Sequence, residues 1–284
     1  IALLRSAQVF SLTRIARDFG VIIDKSSIDY KALMNRKDEL VESLVSGTER
    51  RLTSSGVEVI KGKGVLASQK LVRILKDDGQ VESVGAENII IATGFKPLEP
   101  AIPGSGNGGL IMAEEALALK RLPLSMAVVG CDFIGVQLAC IFNLLGTEVS
   151  IIEASSRLLP EEEEEISVVL EEILTAYGLK VIVEAEVITI SDGAGGERKL
   201  TVSVKGGERC VSAEEVVMSR GRRPNTEELG LEKAGVTMNN SGEVIVDKHM
   251  RTNVPGVYAV GDAVGRFMLA QVAIAEGNIA AENA

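Results

Sequence analysis

Residues 126–153, MAVVGCDFIGVQLACIFNLLGTEVSIIE, decide the fold of this chain of 284 residues. An apolar strand leads into a turn that begins at Gly130, an amphipathic helix follows, and a second apolar strand ends on Glu153. A glycine turn between a strand and a helix, with a carboxylate about 20 residues further on, is the pattern of a dinucleotide-binding βαβ unit. The stretch therefore predicts an α/β fold that binds a nicotinamide nucleotide at this turn.

One position of the turn departs from the pattern. Asp132 occupies the place of the second glycine, which normally lets the backbone approach a pyrophosphate closely. A carboxylate about 5 Å from a pyrophosphate charge, at an effective dielectric constant near 20, would weaken binding by roughly 3 kcal/mol. The same carboxylate could instead cap the free N–H groups of the helix and stabilise it by about 1 kcal/mol. Weak NAD binding and lost NAD binding are therefore both open at this point.

The composition indicates a globular protein and limits the range of its partners. Hydrophobic residues make up 46% of the chain, there are 29 glycines, and the formal net charge is −10 at pH 7. A negative surface repels phosphodiester backbones, and the sequence has no basic stripe interleaved with aromatic residues, so no nucleic-acid partner is expected. No apolar run reaches the 18 or so residues of a membrane span, so no membrane partner is expected either.

The three cysteines, Cys131, Cys140 and Cys210, match neither the spacing of a CxxC redox pair nor that of a zinc site. Scattered thiols indicate a reducing compartment. We therefore expect a cytoplasmic location, or the mitochondrial matrix if the source is eukaryotic, and no metal site. The chain begins with Ile1 rather than methionine, which predicts that it is a fragment of a longer protein.

The first part of the chain predicts helices followed by a small sheet. Residues 1–19 and 28–54 have helical spacing, and short β-rich runs follow between residues 57 and 94. A loop rich in proline and glycine, residues 95–109, precedes a helix predicted over residues 111–122. Because the βαβ unit starts directly afterwards, we place a domain boundary near residue 123.

Beyond the βαβ unit, the pattern predicts a helix, a hairpin and a return to the first domain. The glutamates at 161–165 are expected to form the solvated start of a helix rather than a metal site. Residues 181–191 and 199–205 predict an antiparallel hairpin, and a strand then leads to a loop at 221–225. A new strand-and-helix pattern begins near residue 244.

Five motifs, each in the same order along the chain, resemble those of the flavin-dependent pyridine nucleotide-disulfide oxidoreductases, and among these most of all the dihydrolipoamide dehydrogenases. They are ALLRSA at 2–7, ATG at 92–94, the glycine turn at 130–135, GRRPN at 221–225 and TNVPGVYAVGDAVGRFMLAQ at 252–271. The last of these is the most specific, whereas the ATG triplet alone would be a weak signal. The resemblance extends over essentially the whole chain.

The resemblance implies two Rossmann-like nucleotide-binding domains, with an NAD domain inserted into a discontinuous FAD domain. The expected FAD domain then comprises residues 1–123 and 244–284, and the NAD domain comprises residues 124–243. It also implies FAD and NAD as cofactors, a small dithiol or disulfide as substrate, and a homodimer for the full-length protein. The first βαβ unit of the FAD domain with its redox cysteines, and the C-terminal interface domain, are expected to belong to the parts outside this fragment.

By match to the motifs of the family, the resemblance assigns cofactor-binding roles to individual residues of this chain. On the flavin side these are Gly64, Thr93, Gly94, Phe95, Asp262, Met268, Leu269, Ala270 and Gln271. A strand-end carboxylate such as Asp262 can accept hydrogen bonds from the ribityl hydroxyls, although an ordinary helix N-cap is the alternative role for this residue. On the NAD side they are Gly130, Cys131, Asp132, Phe133, Ile134, Gly135, Val136, Gln137, Glu153, Val187 and Gly221.

Several single residues refine these expectations. Glu153 would accept hydrogen bonds from the adenosine ribose and repel a 2′-phosphate, so NAD is expected rather than NADP. Arg157 and Arg222 could weaken that preference, because either could reach a phosphate. Gln137 stands where the family usually has a glutamate. His249, the single histidine, does not match the acid-base motif of the family and is expected to have no catalytic role.

Two classes of function follow from the resemblance. The first is an enzyme that passes electrons between a dihydrolipoamide-like dithiol and NAD through FAD and a redox disulfide, with the fragment alone inactive. The second is a non-catalytic family member that acts as a nucleotide-binding or assembly module. Within the enzyme class, mercuric reductase-like, glutathione reductase-like and transhydrogenase-like activities are further alternatives.

Overall fold

The computed structural model describes residues 1–98, 100–106 and 109–284. Its α-helices are α1 (Ala2–Ile15), α2 (Tyr30–Ser54), α3 (Ala113–Ala116), α4 (Phe133–Leu145), α5 (Glu164–Ala176) and α6 (Ala270–Asn283). Short 3-10 helices span Ala16–Phe19, Ala194–Gly196 and Gly261–Val264. The strands are β1 (Lys63–Ser68), β2 (Leu71–Leu75), β3 (Val81–Gly85), β4 (Ile89–Ile91), β5 (Phe95–Pro97), β6 (Ile111–Met112), β7 (Ser125–Val129), β8 (Glu148–Ile152), β9 (Lys180–Ile182), β10 (Ala185–Asp192), β11 (Arg198–Val204), β12 (Gly207–Ala213), β13 (Glu215–Met218), β14 (Arg222–Pro224) and β15 (Val257–Ala259).

Contacts divide the chain into two compact units. The first comprises Ile1–Arg51 and Glu99–Arg220, and the second comprises Leu52–Leu98 and Gly221–Ala284. Both units are therefore discontinuous in sequence. The boundaries expected at residues 123 and 243 divide the chain by the cofactor that each segment binds. This division into FAD and NAD domains stays a prediction.

The first unit is built on a parallel sheet with the strand order β6-β13-β7-β8-β9. Helix α4 connects β7 to β8, so the predicted βαβ unit is confirmed. Its apolar side chains, among them Leu138 and Phe142, pack with Val128 and Ile151 of the two strands in one buried cluster. Burial on both faces explains why residues 126–129 of β7 are a continuous apolar run rather than an alternating one.

A second, antiparallel sheet of the first unit has the order β10-β11-β12. Its buried residues, such as Leu200 and Val202, share a hydrophobic cluster with Ala127 and Ile152 of the parallel sheet. The predicted hairpin forms from β10 and β11. Its first strand begins at Ala185 rather than at residue 181, because residues 181 and 182 belong to β9 of the parallel sheet. Helix α1 packs on α4 through Leu3 and Ala7.

The second unit contains three small sheets. Strands β1, β2 and β3 form an antiparallel meander, β4 pairs in parallel with β15, and β5 pairs antiparallel with β14. Leu66, Ile91 and Leu231 meet Val257 and Ala259 in a buried cluster. Segments from both ends of the unit are thus required for its core.

The structure corrects several element predictions. The helix expected over residues 111–122 is shortened to α3, four residues long, preceded by the two-residue strand β6. Strands β3 and β12 were not predicted, and the loop at 221–225 contains strand β14. Strand β5 lies in the predicted loop at 95–109, of which residues 99, 107 and 108 lie outside the described residues.

The described residues contain no helix that is both long and apolar enough to cross a membrane. Within the same residues, no cluster of three or more histidine, cysteine, aspartate or glutamate side chains has the arrangement to hold a metal ion. The glutamates that precede and open α5 are exposed, and Glu164 and Glu165 lie in the first turn of that helix. Their charges complement the helix dipole, as the sequence predicts.

Candidate functional site

The turn after β7 needs glycine at two positions. Gly130 has a φ of 95°, and a Cβ atom placed on it would lie 2.6 Å from both the carbonyl oxygen of Ser219 and the Cβ of Arg220. A Cβ on Gly135 would lie 2.6 Å from the carbonyl oxygen of Gly130. Any side chain at either position would therefore displace the backbone. The first and third glycines of the motif keep their structural roles in this turn.

Asp132 caps helix α4. Its Oδ1 atom accepts hydrogen bonds from the amides of Ile134, at 3.1 Å, and Gly135, at 2.9 Å. The hydroxyl of Ser219 donates a third hydrogen bond to the same oxygen, at 2.8 Å. The capping role expected from the sequence is confirmed, and the helix amides available to an anion are engaged by the protein itself. The contribution of Ser219 was not predicted, because this residue directly follows β13 and lies 87 residues away in sequence.

Glu153 lies at the end of β8, next to the glycine turn. Its side chain is 4% exposed, and its two oxygens accept hydrogen bonds from the amides of Cys131, at 2.8 Å, and Ser155, at 2.7 Å. A carboxylate offers about four acceptor sites, so two amide bonds leave acceptor capacity for ribose hydroxyls. The turn and the strand-end acid are thus held together by direct hydrogen bonds.

The cysteine of the turn is a buried, protonated thiol. Burial raises the pKa of Cys131 to about 12, and the nearby carboxylates of Glu153 and Asp132 also raise it. Burial raises the pKa of Cys140 as well. Because the thiolate is the reactive form, neither side chain is suited to act as a redox nucleophile.

The two arginines that could have favoured a 2′-phosphate are both engaged. The guanidinium of Arg157 donates hydrogen bonds to the carbonyl oxygens of Pro160 and Glu162, each at 2.9 Å. The guanidinium of Arg222, in the second unit, lies over the ring of Phe95 at 5.2 Å from the ring centre. Arg157 is thus anchored within the first unit and Arg222 within the second.

In the second unit, two candidate flavin residues follow adjacent parallel strands. Thr93 comes two residues after β4, Asp262 comes three residues after β15, and these strands pair in parallel. The amide of Val260 donates to the carbonyl oxygen of Ile91, which extends the pairing beyond β15. The carboxyl ends of parallel strands are where α/β proteins bind ligands. Thr93 and Asp262 therefore lie at the same edge of this pair.

Asp262 lies in a 3-10 helix whose backbone is held by the buried side chain of Glu276. Asp262 lies within the 3-10 helix Gly261–Val264 and is not its N-cap, so the capping alternative is wrong. Glu276 of α6 is buried, and its Oε2 atom accepts a hydrogen bond from the amide of Gly261 at 2.7 Å. The side chain of Asp262 is half-buried and makes no hydrogen bond or ion pair with the residues that the structure describes.

The segment at 93–97 is held by the GRRPN motif. The amide of Asn225 donates to the carbonyl oxygen of Gly94 at 2.9 Å, and its side-chain amide donates to that of Thr93 at 3.4 Å. Phe95 opens β5 and pairs with Pro224 of β14. Two sequence motifs that are far apart along the chain therefore form one local structure.

The remaining candidates are located in different elements. Gly64 is in β1, Val187 is buried in β10, and Gly221 belongs to the second unit with a φ of 80°. Met268 and Leu269 precede α6, which Ala270 and Gln271 begin. Phe133, Ile134, Val136 and Gln137 form the first turns of α4, with Gln137 exposed. His249 is half-buried in a turn between Asp247 and Met250.

A parallel sheet with this turn and a strand-end acid defines a dinucleotide-binding α/β protein. Comparison with protein families then identifies it more closely, because residues 5–277 match the profile of the pyridine nucleotide-disulphide oxidoreductases. The chain belongs to this family. Its members, dihydrolipoyl dehydrogenases and flavoprotein disulfide reductases among them, use FAD and NAD(H).

Curated relatives and solved structures agree with this assignment. The chain is 40% identical to the dihydrolipoyl dehydrogenase of Chlamydia trachomatis over 99% of its length, and it spans 60% of the length of that relative. It is 35% identical to the dihydrolipoyl dehydrogenase of Acholeplasma laidlawii and covers 81% of it. Among solved structures, the HOCl-induced flavoprotein disulfide reductase RclA of Escherichia coli matches with a TM-score of 0.84 and 26% identity over 99% of this chain and 59% of that one.

Proposed function

We propose that this chain is part of a flavin-dependent, NAD-linked disulfide oxidoreductase of the dihydrolipoyl dehydrogenase type. Such an enzyme transfers electrons between a small dithiol, similar to dihydrolipoamide, and NAD. When bound, FAD supplies the two-electron exchange between the redox disulfide and the nicotinamide. The proposed location is the cytoplasm, and the proposed assembly of the whole protein is a homodimer.

The observation that carries the proposal is the hydrogen bond from the backbone amide of Cys131, in the glycine turn, to the carboxylate of Glu153. The Cys131 amide fixes a buried carboxylate beside Gly130, where a dinucleotide would present its adenosine ribose. The close approaches at Gly130 and Gly135, to Ser219 and to the turn's own backbone, fix the shape of the turn. The negative charge of Glu153 would repel a 2′-phosphate, which favours NAD over NADP.

The FAD residues would act through strand-end hydrogen bonds. Asp262 has free acceptor capacity for ribityl hydroxyls, and Glu276 orients the backbone that carries it. The carbonyl oxygens of Thr93 and Gly94 accept hydrogen bonds from Asn225, which holds this segment in place. Gly64, Phe95 and the segment from Met268 to Gln271 remain proposed flavin contacts, and Val187 and Gly221 remain proposed NAD contacts.

A second candidate function is a non-catalytic family member, and the capped state of α4 favours it. Asp132 satisfies the helix amides that a pyrophosphate would use. A protein that no longer binds NAD would tolerate this replacement, whereas an enzyme would need another source of phosphate affinity. The affinity for NADH therefore separates the enzyme from a module that serves only in assembly, whereas a nucleotide-binding module would keep this affinity.

Titration of the purified protein with NADH by calorimetry distinguishes the candidates. The enzyme requires a measurable affinity, which should fall by about tenfold or more in Glu153→Gln, because a neutral amide accepts ribose hydrogen bonds less strongly. Glu161→Gln, which changes an exposed glutamate outside this site, serves as the matched control. A folded protein that binds neither NADH nor NADPH would contradict the NAD-linked function. The absorbance of bound flavin after purification tests the FAD site independently.

A further inference from the structure

Arg220 is an exposed arginine next to the glycine turn. It follows β13, the strand that pairs with β7, and its Cβ lies against Gly130. Its guanidinium makes no hydrogen bond, ion pair or ring contact with the part of the chain that the structure describes. The positive charge of Arg220 is therefore available to an anionic ligand that binds at the turn.

The strand order indicates which part of a dinucleotide lies nearest to Arg220. In the parallel sheet, β8 and β13 flank β7 on opposite sides. The adenosine half belongs on the side of β8, because Glu153 at the end of that strand is the ribose acceptor. Arg220 follows β13 on the other side of β7, so its backbone lies nearer to the expected place of the pyrophosphate and the nicotinamide half than to that of the adenosine ribose.

The neighbouring residues explain why a cation is useful at this place. The amides of Ile134 and Gly135, which would otherwise bind a phosphate, donate to Asp132, and Asp132 adds a negative charge to the turn. Ser219, the residue directly before Arg220, donates to the same carboxylate. A neighbouring positive charge would offset that repulsion and supply hydrogen-bond donors in place of these two amides.

We propose that Arg220 binds the pyrophosphate of the nicotinamide nucleotide and replaces the anion-binding role of the helix N-terminus that Asp132 caps. The proposal rests on the proposed nucleotide function of this turn. Arg220 is then the residue that retains NAD affinity in a turn without its second glycine. Its contribution concerns the phosphates and is independent of the choice between NAD and NADP.

Calorimetric titration of the Arg220→Gln variant with three ligands tests this assignment. NADH and ADP-ribose, which both contain the pyrophosphate, should bind about tenfold more weakly than to the unchanged protein, the usual size of one lost charge-assisted contact. Adenosine, which has no phosphate, should bind equally to both proteins. The preference for NADH over NADPH should also be unchanged. Arg209→Gln, which neutralises an exposed arginine on β12, is the matched control and should leave all affinities unchanged.

The same substitution made in the Asp132→Gly variant separates the contribution of Arg220 to NADH affinity from that of the helix N-terminus. In Asp132→Gly the helix amides are free for the pyrophosphate, so Arg220→Gln should there cost only about threefold in NADH affinity. Equal binding of NADH by Arg220→Gln and the unchanged protein would overturn the assignment and leave the proposed function intact. A weaker affinity of Arg220→Gln for adenosine as well as for NADH would also overturn the assignment. If neither the unchanged protein nor Asp132→Gly bound NADH, the nucleotide function itself would fail, and Arg220 with it.

Discussion

The carboxylate of Asp132 accepts hydrogen bonds from the same helix amides that a bound phosphate would use. It is held further by the hydroxyl of Ser219, so three donors fix one oxygen. This arrangement stabilises the helix without a ligand, because the orphan amides of its first turn are satisfied. A residue that stabilises the free turn in this way necessarily competes with the ligand.

Replacing Asp132 should therefore change stability and affinity in opposite directions. Asp132→Gly removes the side-chain cap and should lower the free energy of unfolding by roughly a few tenths of a kcal/mol, because glycine is itself tolerated at an N-cap. The same change frees the amides and removes a negative charge, so the affinity for NADH should rise about tenfold or more. Urea denaturation and calorimetry measure the two effects.

Asp132→Asn is the matched control for this pair of effects. Asparagine also caps helices, so the stability should stay close to that of the unchanged protein, while loss of the charge should recover part of the affinity. An unchanged or weaker affinity of Asp132→Gly for NADH would mean that the carboxylate does not oppose the pyrophosphate.

The thiol of Cys131 gives the protein a pH dependence at alkaline pH. Burial raises the pKa of this group in the folded state from 9.0 to about 12. The folded state therefore holds the proton more tightly than the unfolded state does, and the resulting stability is complete below pH 9 and is lost as the pH rises towards 12. Urea denaturation between pH 8 and pH 11 should show this decline, and Cys131→Ala should reduce it. An equal decline in Cys131→Ala would assign the effect to other groups.

At the scale of elements, Glu276 links α6 to the 3-10 helix that carries Asp262. Glu276→Ala would leave the buried amide of Gly261 without an acceptor, which should lower the free energy of unfolding by about 1–3 kcal/mol. Bound FAD should also dissociate more readily, which flavin fluorescence on dilution measures. Glu276→Gln retains an acceptor oxygen and should keep most of both properties. Equal losses in the two variants would show that the charge, rather than the hydrogen bond to Gly261, is important.

The elements that could be predicted from the sequence are those with a strong local signal. The glycine turn, the apolar runs of β7 and β8 and the length of α4 are all contained within residues 126–153, and each forms as expected. The helix expected at 111–122 is much shorter, because its first two residues join the parallel sheet as β6. Tertiary pairing overrides local propensity at such a position.

The parts of the candidate site that escaped prediction depend on distant pairing. Ser219 reaches Asp132, and β14 reaches β5, only after strands far apart in sequence have aligned. The backbone position of Arg220 likewise follows from the register between β13 and β7. A single sequence reveals the residue types of such contacts but not which partners they meet.

For the whole molecule, the two compact units have separate hydrophobic clusters. Ile151 belongs to a cluster of the first unit and Ile91 to a cluster of the second. Ile151→Val and Ile91→Val should each lower the free energy of unfolding by about 1 kcal/mol, the usual cost of one buried methyl group. Because the clusters share no residues, the double variant should lose the sum of the two to within about 0.5 kcal/mol. Urea denaturation of the four proteins measures this, and a clear departure from the sum would indicate that the clusters support each other.

The parallel pairing of β4 with β15 also affects how the protein is made. Ile89 of β4 is aligned with Val257 of β15, so the first strand leaves the ribosome long before its partner is synthesised. At usual rates of translation the delay is on the order of ten seconds or more. Throughout this interval the apolar residues of β4 have an unpaired edge, which other chains can join. Nascent chains that stall before Val257 should therefore aggregate readily and depend on chaperones.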